Sequence, residues 1–482
     1  MSEEIELKLE ADPDALAALE ASGLLRGEPA IVRQRAVYFD TPDHGLAQAG
    51  LALRIRHAGG RRVQTVKAGS GASAGLFARA EWERAVDSDT PILDDNLPVR
   101  PLIEAAGTVG PVFEVRVQRR RWIVQQDGAS VELVIDRGEV AAGNRTSPIC
   151  EIELELMAGQ PAALFALARR IDSTAPVRLG VQSKAERGYL LLEGAPAKAF
   201  RAEPIPLAGD VSAAQAFQQI VQACVRQFRL NEATLPERRA ATLHQARVAL
   251  RRLRAAFAIF KPVIDGPEAR RLKTDLRWLA AECAPARDLD VLLERAAAHP
   301  LRDRIAPARE TAYDRAQAAL ASARARALLL DLAEWSATGA WLEAAAAKPE
   351  PAADFAVAAL DRLWRTVEKG GRKLARADDE ARHAFRKTAK KLRYAAEFLG
   401  PLFGRERQRR RYRKFLRRLG ALLDTLGALN DLATAPRIVQ ELGLSGDPRA
   451  AALLADGEKA ALLAAATEAR AALLDSKRFW RG

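Results

Sequence analysis

The 482-residue sequence predicts an α+β multidomain protein, in which a mainly antiparallel β domain precedes an all-helical domain. Residues 1–200 contain many segments in which apolar and polar residues alternate with a period of two, as expected of strands with one buried face. Residues 211–482 are rich in Ala, Leu and Arg and place apolar residues at helical spacing. Residues 194–210 are rich in Pro, Ala and Gly and lack apolar periodicity, which indicates a linker.

The predicted strands carry charged residues on one of their two faces. In the first strand, EEIELKLE at residues 3–10, the side chains of Glu4, Glu6 and Lys8 share one face and the aliphatic side chains share the other. The same alternation recurs in LALRIR (51–56), AEWERAV (80–86), FEVRV (113–117), VELVID (131–136) and CEIELEL (150–156). We therefore expect a sheet with one apolar and one charged face.

Local signals also predict turns and helices in the first domain. The segment GSGASAG at 69–75 offers glycines that could cradle a phosphate, but it lacks the Gly-Lys-Ser/Thr ending of a P-loop. Because it lies between two predicted strands, a hairpin is the better interpretation. Short helices are predicted at 12–22 and 160–172.

Two interpretations of the charged faces are open at this point. An antiparallel sheet commonly has one solvated face, so the charges could simply meet water. Carboxylates, however, dominate the first strand and the segment at 150–156, whereas Arg and Lys dominate several strands between them. If the sheet closes into a barrel, these faces converge inside, where carboxylates bind Mg²⁺ or Mn²⁺ and Arg and Lys bind phosphate oxygens. The second interpretation therefore predicts a metal–phosphate site.

A series of motifs connects the β domain with a known family. They are EIELKLE (4–10), VYFDTPD (37–43), GLALRIR (50–56), QTVKA (64–68), RAEWE (79–83), FEVRVQRRRW (113–122), ELVIDRGEV (132–140), ICEIELEL (149–156) and SKAERGY (183–189). They span nearly all of residues 1–200, which resemble the CYTH family, the triphosphate tunnel metalloenzymes. The resemblance implies an eight-stranded antiparallel β tunnel with flanking helices that binds triphosphate compounds with a divalent metal. The members most similar to this chain hydrolyse inorganic triphosphate, and others hydrolyse thiamine triphosphate or cyclise ATP.

The resemblance also implies roles for individual residues of this sequence. It implies metal binding by Glu4, Glu6, Glu153 and Glu155. It implies triphosphate binding by Lys8, Arg54, Arg56, Lys67, Arg116 and Lys184. It implies catalytic roles for Glu4, Glu6, Lys8 and Glu153, and leaves open which carboxylate orients or deprotonates the attacking water. Which of Arg119 and Arg120 faces the tunnel also stays open.

The second part of the chain is strongly basic. Residues 1–200 contain 24 Lys and Arg against 28 Asp and Glu, a net charge of −4, whereas residues 201–482 contain 51 against 34, a net charge of +17. The helical part should therefore attract polyanions such as nucleic acid, an anionic membrane or polyphosphate.

A weak internal repeat organises these basic residues. The segments HQARVALRRLRAAFAIFKPV, from His244, and HAFRKTAKKLRYAAEFLGPLF, from His383, share a His followed by basic residues at the same offsets. On a helix, each segment presents one stripe: His244, Arg247, Arg251 and Arg254 in the first, and His383, Arg386, Lys390 and Arg393 in the second. One such stripe could be a solvated face, but its recurrence with the same spacing favours a shared basic groove.

Residues 211–482 resemble the CHAD domain, which often follows a CYTH domain. The two H-x-x-R stripes and RDLD at 287–290 carry this resemblance. It implies two four-helix bundles related by a pseudo-two-fold axis, with inorganic polyphosphate bound in a basic central cavity. The residues assigned to polyphosphate are His244, Arg247, Arg251, Arg252, Arg254, His383, Arg386, Lys387, Lys390, Lys391 and Arg393. Nucleic acid is the weaker alternative, because few aromatic residues interleave with these bases.

Together the two resemblances predict an inorganic triphosphatase that uses Mg²⁺ or Mn²⁺ and binds inorganic polyphosphate. One alternative is a non-catalytic polyphosphate-binding or targeting protein. Another is a hydrolase or cyclase that acts on an organic triphosphate such as thiamine triphosphate or ATP.

Composition also bears on location. The three widely spaced cysteines, Cys150, Cys224 and Cys283, indicate a reducing compartment. The first residues do not resemble a signal peptide, and no uncharged apolar run approaches the roughly 20 residues that span a bilayer. We therefore expect a cytoplasmic protein without a membrane partner, and association with polyphosphate granules would fit its expected ligand.

Overall fold

The structure is a computed structural model that describes residues 2–69, 74–94, 97–194, 199–454 and 457–481. The chain divides into two compact units. The first unit contains residues 1–198 together with 322–338, and the second contains residues 199–321 together with 339–482. Residues 70–73 of the Gly-rich segment, for which a hairpin was predicted, lie outside the described residues, as do residues 195–198 of the predicted linker.

The described residues of the first unit form nine strands: β1 (Ser2–Glu10), β2 (Ala30–Asp40), β3 (Leu51–Ala58), β4 (Arg61–Ala68), β5 (Leu76–Ala85), β6 (Gly110–Gln126), β7 (Ala129–Ala142), β8 (Arg145–Ala158) and β9 (Arg178–Leu179). Antiparallel neighbours follow the order β5-β4-β3-β2-β6-β7-β8-β1. Strand β1 also pairs with β5, which places Glu4 opposite Arg79, so these eight strands close into a barrel. The predicted eight-stranded antiparallel tunnel is confirmed.

Five helices flank this barrel: α1 (Pro13–Ala21), α2 (Gly45–Gln48), α3 (Arg100–Ala106), α4 (Ala162–Thr174) and α5 (Lys184–Glu193). Helices α1 and α4 confirm the two short helices predicted at 12–22 and 160–172. Because strand side chains alternate, one set points into the barrel and the other points outward. The outward aliphatic residues Leu53, Ile55 and Val66 pack in an apolar cluster with Ile103 of α3.

The interior of the barrel changes character along its axis. At one end, Tyr38, Phe113, Val115 and Val117 form an apolar cluster that includes partly buried residues of α5. Helix α5 comes so close here that a Cβ atom on Gly188 would lie 2.2 Å from the ring of Phe113, so a residue without a side chain is required. The rest of the interior is lined by charged side chains.

The second unit is helical, as predicted. Its helices are α6 (Ala213–Glu232), α7 (Ala240–Ile259), α8 (Lys261–Ile264), α9 (Pro267–Glu282), α10 (Ala284–Arg295), α11 (Arg302–Ala321), α13 (Trp341–Ala347), α14 (Ala352–Gly370), α15 (Asp379–Leu399), α16 (Glu406–Glu441), α17 (Ala450–Leu453) and α18 (Lys459–Leu474). Helices α6, α7, α9, α10 and α11 pack together, as do α14, α15, α16 and α18. Helix α6 contacts α14 and α7 contacts α15, as expected if the two groups are equivalent.

Helix α12 (Ala323–Thr338) belongs to the first unit, although the helical part of the sequence surrounds it. It packs against α4 and β9. Arg169 of α4 donates a 2.7 Å hydrogen bond to Asp331 and also pairs with Glu334, while Arg326 donates a 2.5 Å bond to Asp172. Several of its leucines are buried. The first unit is therefore discontinuous in sequence.

Two further findings concern location and oxidation state. None of the helices in the described ranges is long and apolar enough to cross a membrane. The three cysteines are free thiols, and burial raises the pKa of Cys283 to about 12. These thiols therefore remain protonated at neutral pH.

Candidate active site and anion-binding cavity

The barrel encloses a cavity of about 690 Å³ that side chains from all eight strands and from the start of α5 line. Its charged lining consists of Glu4, Glu6, Lys8, Arg54, Arg56, Arg61, Lys67, Arg79, Glu81, Glu83, Arg119, Arg121, Glu132, Glu153, Glu155 and Lys184. Every residue that the sequence assigned to metal or triphosphate is in this set except Arg116. The charged strand faces therefore converge inside the barrel, and they are not a solvated surface.

In the buried part of the cavity, Lys184 pairs with three carboxylates. Ser183 caps the first turn of α5 through a capping box with Glu186, which fixes where the next side chain points. The Nζ atom of Lys184 lies 2.5 Å from Glu151, 2.7 Å from Asp136 and 2.8 Å from Glu153. Burial by itself would lower the pKa of Lys184, but these three carboxylates raise it well above its ordinary value. Lys184 therefore stays positively charged.

Lys8 and Arg119 complete this buried network. Lys8 donates a 2.5 Å hydrogen bond to Glu153, and Arg119 donates bonds of 2.6 Å to Asp136 and 2.7 Å to Glu153. Burial alone would raise the pKa of Glu153, but Lys184, Lys8 and Arg119 hold it well below its ordinary value. Arg119 is thus the residue that faces inward, whereas its neighbour Arg120 pairs with Glu20 at 2.9 Å.

The oxygens of Asp136, Glu151 and Glu153 lie within 4.8 Å of one another, close enough to share a metal ion. These carboxylates already have four ammonium or guanidinium partners at 3.3 Å or less: Lys8, Lys184, Arg119 and Arg187. A metal ion could enter only by displacing buried cations, each of which would then lack a partner. The donor set is chemically suitable, but its charge is already compensated.

The two carboxylates of β1 in the cavity, Glu4 and Glu6, both pair with Arg79. Glu4 accepts hydrogen bonds from Lys67 at 2.7 Å and from Arg79 at 3.1 Å, and Glu6 accepts one from Arg79 at 3.0 Å. Burial raises the pKa of Glu4, but Lys67 and Arg79 outweigh it and lower the pKa to about 2. Arg79 also lies over the ring of Phe77, 5.3 Å from its centroid.

Glu155 is the exception among these carboxylates. It lies on β8 opposite Glu6 of β1 and opposite Glu132 of β7. Burial and the nearby charges of Glu4, Glu132 and Glu6 raise the pKa of Glu155 to about 7. In the described part of the chain, Glu155 makes no ion pair. An uncompensated carboxylate among other carboxylates fits a hard divalent cation, which prefers oxygen ligands.

Strands β3 and β4 supply three further cations to the cavity, Arg54, Arg56 and Lys67. The guanidinium of Arg54 is buried beside Tyr38, its Nε atom has no hydrogen-bond partner, and it makes no ion pair within the described residues. Arg56 pairs with Glu83 at 3.3 Å, and Lys67 lies 3.3 Å from Glu81. A guanidinium whose buried Nε atom has no acceptor offers a site for an anion, because a charge-assisted hydrogen bond to a phosphate would satisfy that atom.

The structure does not bring Arg116 to the cavity, which corrects the sequence-based assignment. Its side chain is 55% exposed on the outer surface, where it contacts Glu114 and lies 3.5 Å from Glu139. The physical reason is that Val115 and Val117 of the same strand point inward, into the apolar end of the barrel. In this part of β6 the charged face is therefore the outer one.

Several lining residues were missing from the sequence-based site: Arg61, Arg79, Glu81, Glu83, Arg119, Arg121 and Glu132. Asp136, which belongs to the buried network beside the lining, was missing as well. The sequence could have identified Arg79, because Arg79 precedes Glu81 by two residues and therefore lies on the same face of the strand. The face of Arg119 depends on the register of β6, which the sequence does not mark. Asp136 lies opposite Arg119 across the β6–β7 ladder, a pairing that requires the strand order.

The second unit contains a cavity of about 980 Å³ between α7, α15 and α16. The predicted residues that line it are His244, Arg251, Arg252, Arg386, Lys390 and Arg393, and Arg201 and Arg409 join them. Glu203, Glu397, Asp424 and Asp431 supply the acidic part of the lining. The Nε atoms of Arg251, Arg252 and Arg386 are buried without a hydrogen-bond partner. Both repeated stripes therefore contribute to one basic cavity.

Burial and neighbouring positive charges lower the pKa values of two residues in this cavity. Burial together with Arg251 and Arg386 lowers the pKa of Lys390 to about 7, against a smaller opposing effect of Asp431. Burial and Arg287, Arg251 and Lys390 lower the pKa of His244 to about 4. Both groups would gain a proton more readily if an anion occupied the cavity.

The remaining predicted residues of the stripes lie elsewhere, which corrects their assignment to the cavity. They are Arg247, Arg254, His383, Lys387 and Lys391. Arg247 donates a hydrogen bond of 3.0 Å to the carbonyl of Ala280, and His383 lies 2.5 Å from Asn430. Lys387 and Lys391 are exposed. Helical rotation explains Lys387 and Lys391, which follow the lining residues Arg386 and Lys390 by one position. It does not separate Arg247, Arg254 and His383, which share a stripe with lining residues.

Known proteins resemble separate parts of the chain. An inorganic triphosphatase from Haemophilus influenzae is 30% identical over 203 residues, which are 40% of this chain and 55% of that protein. The match thus spans about half the length of this relative. The CHAD domain of the plant Ricinus communis is 33% identical and covers 58% of this chain and 97% of its own, with a TM-score of 0.47. A putative adenylyl cyclase from Hippeastrum, described as having a dominant triphosphatase activity, is 23% identical over 40% of this chain and 95% of its own, with a TM-score of 0.30.

Family models identify the two parts directly. Residues 2–189 match the CYTH domain, in agreement with the motifs from β1 to α5. Residues 219–440 match the CHAD domain, in agreement with the paired basic stripes. The chain is therefore a CYTH domain followed by a CHAD domain.

Proposed function

We propose that the tunnel hydrolyses inorganic triphosphate to pyrophosphate and phosphate with a divalent metal ion. The observation that carries the proposal is the juxtaposition, in one cavity, of Arg54, whose buried Nε atom has no hydrogen-bond partner, with an uncompensated carboxylate at Glu155. An anion satisfies the first and a cation satisfies the second. The CYTH match and the relative named inorganic triphosphatase support the same conclusion.

The cations of the tunnel bind and orient the substrate in this proposal. Arg54, Arg56 and Lys67 hold phosphate oxygens, and Lys8 and Lys184 provide fixed positive charge deeper in the cavity. Phosphoryl transfer depends mainly on positioning and charge neutralisation, so these contacts supply most of the rate gain. Water forms the new bond to phosphorus while the bond to the departing pyrophosphate oxygen breaks.

The carboxylates of the tunnel have two different proposed roles, according to how strongly neighbouring cations neutralise them. Glu4, Glu6 and Glu155 would hold the metal ion, for which we propose Mg²⁺ or Mn²⁺ because all donors are carboxylate oxygens. The bound ion would supply Lewis-acid neutralisation of phosphate charge. Glu153 is a poor proton acceptor because its cationic neighbours hold its pKa low. Its proposed role is to position Lys8, Lys184 and Arg119.

A substrate panel tests this proposal. The purified chain is incubated with inorganic triphosphate, thiamine triphosphate, ATP or long polyphosphate, with Mg²⁺ or Mn²⁺, and the products are separated by size. We expect the fastest turnover with inorganic triphosphate, and loss of it in Glu4→Gln but not in Glu114→Gln, which changes an outward carboxylate of β6. Cyclic product from ATP would assign a cyclase, and no turnover of any compound would assign a binding protein.

We propose further that the cavity of the helical unit binds inorganic polyphosphate. Its support is the set of three arginines, Arg251, Arg252 and Arg386, whose buried Nε atoms have no hydrogen-bond partner and could bind a chain of phosphates. The test is binding of labelled polyphosphate to Arg386→Gln/Lys390→Gln. The matched control is Lys387→Gln/Lys391→Gln, which removes the same charge from the exposed side of α15. Equal losses in both variants would reduce the proposal to non-specific attraction by net charge.

A cytoplasmic location, with recruitment to polyphosphate granules, follows from this second proposal and fits the free thiols. A fluorescent fusion tests it. The fusion should co-localise with polyphosphate and should become diffuse in the Arg386→Gln/Lys390→Gln variant.

A further inference from the structure

A second basic surface lies on α16, outside the cavity. Residues 405–418 contain nine Lys and Arg residues and one acid, Glu406. Four of these bases, Arg410, Arg413, Lys414 and Arg417, are exposed on the first half of α16. At 100° per residue they occupy an arc of roughly 100°, so they form one face of the helix. We call this face the α16 track.

The α16 track is not compensated internally. None of its four side chains makes an ion pair in the part of the chain that the structure describes. Like charges four residues apart, such as Arg410 with Lys414 and Arg413 with Arg417, destabilise an isolated helix. By contrast, many exposed bases elsewhere in the unit have carboxylate partners, for example Arg315 with Glu282 at 2.9 Å and Arg270 with Asp265 at 3.3 Å.

The α16 track continues the lining of the cavity. Arg409 and Tyr412, from the same helical turns, line the cavity itself. Arg410 follows Arg409 directly, and Arg413 lies one turn further along. The four bases cover about 10 Å of helix axis at a rise of ~1.5 Å per residue. A linear anion whose end lies in the cavity could therefore remain in contact with cations after leaving it.

The chemistry favours a polyanion without bases. Tyr412, the aromatic residue of this segment next to the track, packs edge-on against Phe479, with ring centroids 5.0 Å apart, so it is not free to stack on a nucleobase. A single chain of phosphates carries negative charge along its whole length and has no bases to stack. The ligand that fits both surfaces is a linear chain of phosphates longer than the cavity.

We infer that the α16 track is an external binding site for the part of a long polyphosphate chain that extends beyond the cavity. The inference rests on the proposed polyphosphate binding by the cavity. It adds that affinity depends on chain length: short chains use the cavity alone, and long chains use the cavity and the track.

The experiment compares three full-length variants with labelled short and long polyphosphate. The track variant is Arg410→Gln/Arg413→Gln/Lys414→Gln/Arg417→Gln. The cavity variant is Arg386→Gln/Lys390→Gln. The control is Lys369→Gln/Arg372→Gln/Lys373→Gln/Arg376→Gln, which removes four exposed charges at the end of α14.

The track variant should bind long chains at least about tenfold more weakly, and its salt dependence should be reduced by roughly three to four in the slope of log K against log salt. Its affinity for short chains should stay within about twofold of the unchanged protein, since the cavity is intact. The control should bind both lengths normally. Duplex DNA should compete poorly.

Other outcomes separate this inference from the proposal beneath it. Normal long-chain binding by the track variant, with loss in the cavity variant, would overturn the track and leave the cavity function standing. If the track variant and the control lost polyphosphate affinity equally, the α16 track would act only through its contribution to net charge. If the cavity variant also bound normally, the proposed polyphosphate function would fail as well. Competition by DNA as strong as that by polyphosphate would assign a general polyanion surface.

Discussion

Arg54 and Arg116 belong to the same domain but lie in different surroundings. Arg54 is buried in the tunnel with an orphaned Nε atom, and Arg116 lies outside beside Glu114 and Glu139. A charge-assisted hydrogen bond is worth about 1.5–3 kcal/mol, so Arg54→Gln should lower kcat/KM for inorganic triphosphate roughly 10- to 150-fold. Arg116→Gln should stay within about twofold, because it removes a surface ion pair. Steady-state kinetics measure both, and equal losses would place Arg116 at the substrate after all.

Glu155 gives a pH-dependent test of the same cavity. Its pKa of about 7 in the folded chain exceeds its ordinary value of 4.5, so ionisation costs folding free energy as the pH rises from about 4.5 to above 7. Without metal, Glu155→Gln should therefore raise Tm at about pH 8 and leave it unchanged at about pH 4.5. The gain in Tm that Mg²⁺ or Mn²⁺ gives the unchanged protein should shrink in this variant. An identical metal response in both proteins would remove Glu155 from the metal site.

At the scale of elements, the sequence predicted the positions of the strands better than it predicted their register. The period-two pattern identified six of the eight barrel strands, motifs of the resemblance fell on the other two, β2 and β4, and the eight close as the resemblance implied. Charge alone, however, could not tell that Val115 and Val117 face an apolar end while Arg119 faces the tunnel. That distinction depends on α5, which covers one end of the barrel through contacts far apart in the sequence. The membership of α12 in the first unit depends on packing of the same long-range kind.

In the proposed function, strand β1 would make metal binding and substrate binding interdependent. Glu4 pairs with Lys67 and Arg79, and Glu6 pairs with Arg79, so the expected metal ligands and the expected substrate-binding cations are ion-pair partners of one another. A metal ion bound to the carboxylates would free these cations for phosphate, and a phosphate bound to the cations would free the carboxylates. Either ligand alone leaves buried charges without partners.

We therefore expect a non-hydrolysable imidotriphosphate to bind roughly 5- to 150-fold more tightly when Mg²⁺ or Mn²⁺ is present, and the metal to gain the same factor from the anion. Calorimetric titration of each ligand in the presence and absence of the other measures this coupling. Arg79→Gln should reduce it, whereas Arg116→Gln should not. Independent binding of the two ligands to the unchanged protein would contradict the exchange of partners.

Helix α15 supplies a pH-dependent cation to the second cavity. Lys390 has a pKa of about 7, so it is charged below that pH and largely neutral above it. Affinity for polyphosphate should therefore rise as the pH falls from about 8 to about 6, because the cavity gains a positive charge. Lys390→Gln should flatten this dependence, and Lys387→Gln, on the exposed side of the same helix, should preserve it. Binding isotherms across this range decide, and an unaltered slope in Lys390→Gln would exclude it as the titrating group.

At the scale of the whole molecule, the chain passes between its two units three times, because residues 322–338 return to the first unit. A fragment that ends at Gly194 keeps every charged residue of the tunnel lining but lacks α12. It therefore exposes the surface of α4 and β9 that α12 covers and leaves Arg169 and Asp172 without their partners. The residues that line the tunnel and the folding unit thus have different boundaries in the sequence.

This difference predicts the behaviour of two fragments. Residues 1–194 alone should hydrolyse inorganic triphosphate but should be less stable than residues 1–194 joined by a Gly/Ser linker to residues 322–338. Loss of a helix that buries several leucines costs at least about 3 kcal/mol, which corresponds to a drop in Tm of roughly 6–12 °C for a domain of this size. Adding Arg169→Gln to the linked fragment should remove part of the gain, because Asp331 and Glu334 lose their shared partner. Thermal unfolding of the three fragments measures these differences. Equal Tm values for the short and linked fragments would show that α12 does not stabilise the barrel and would restore a continuous domain boundary near residue 194.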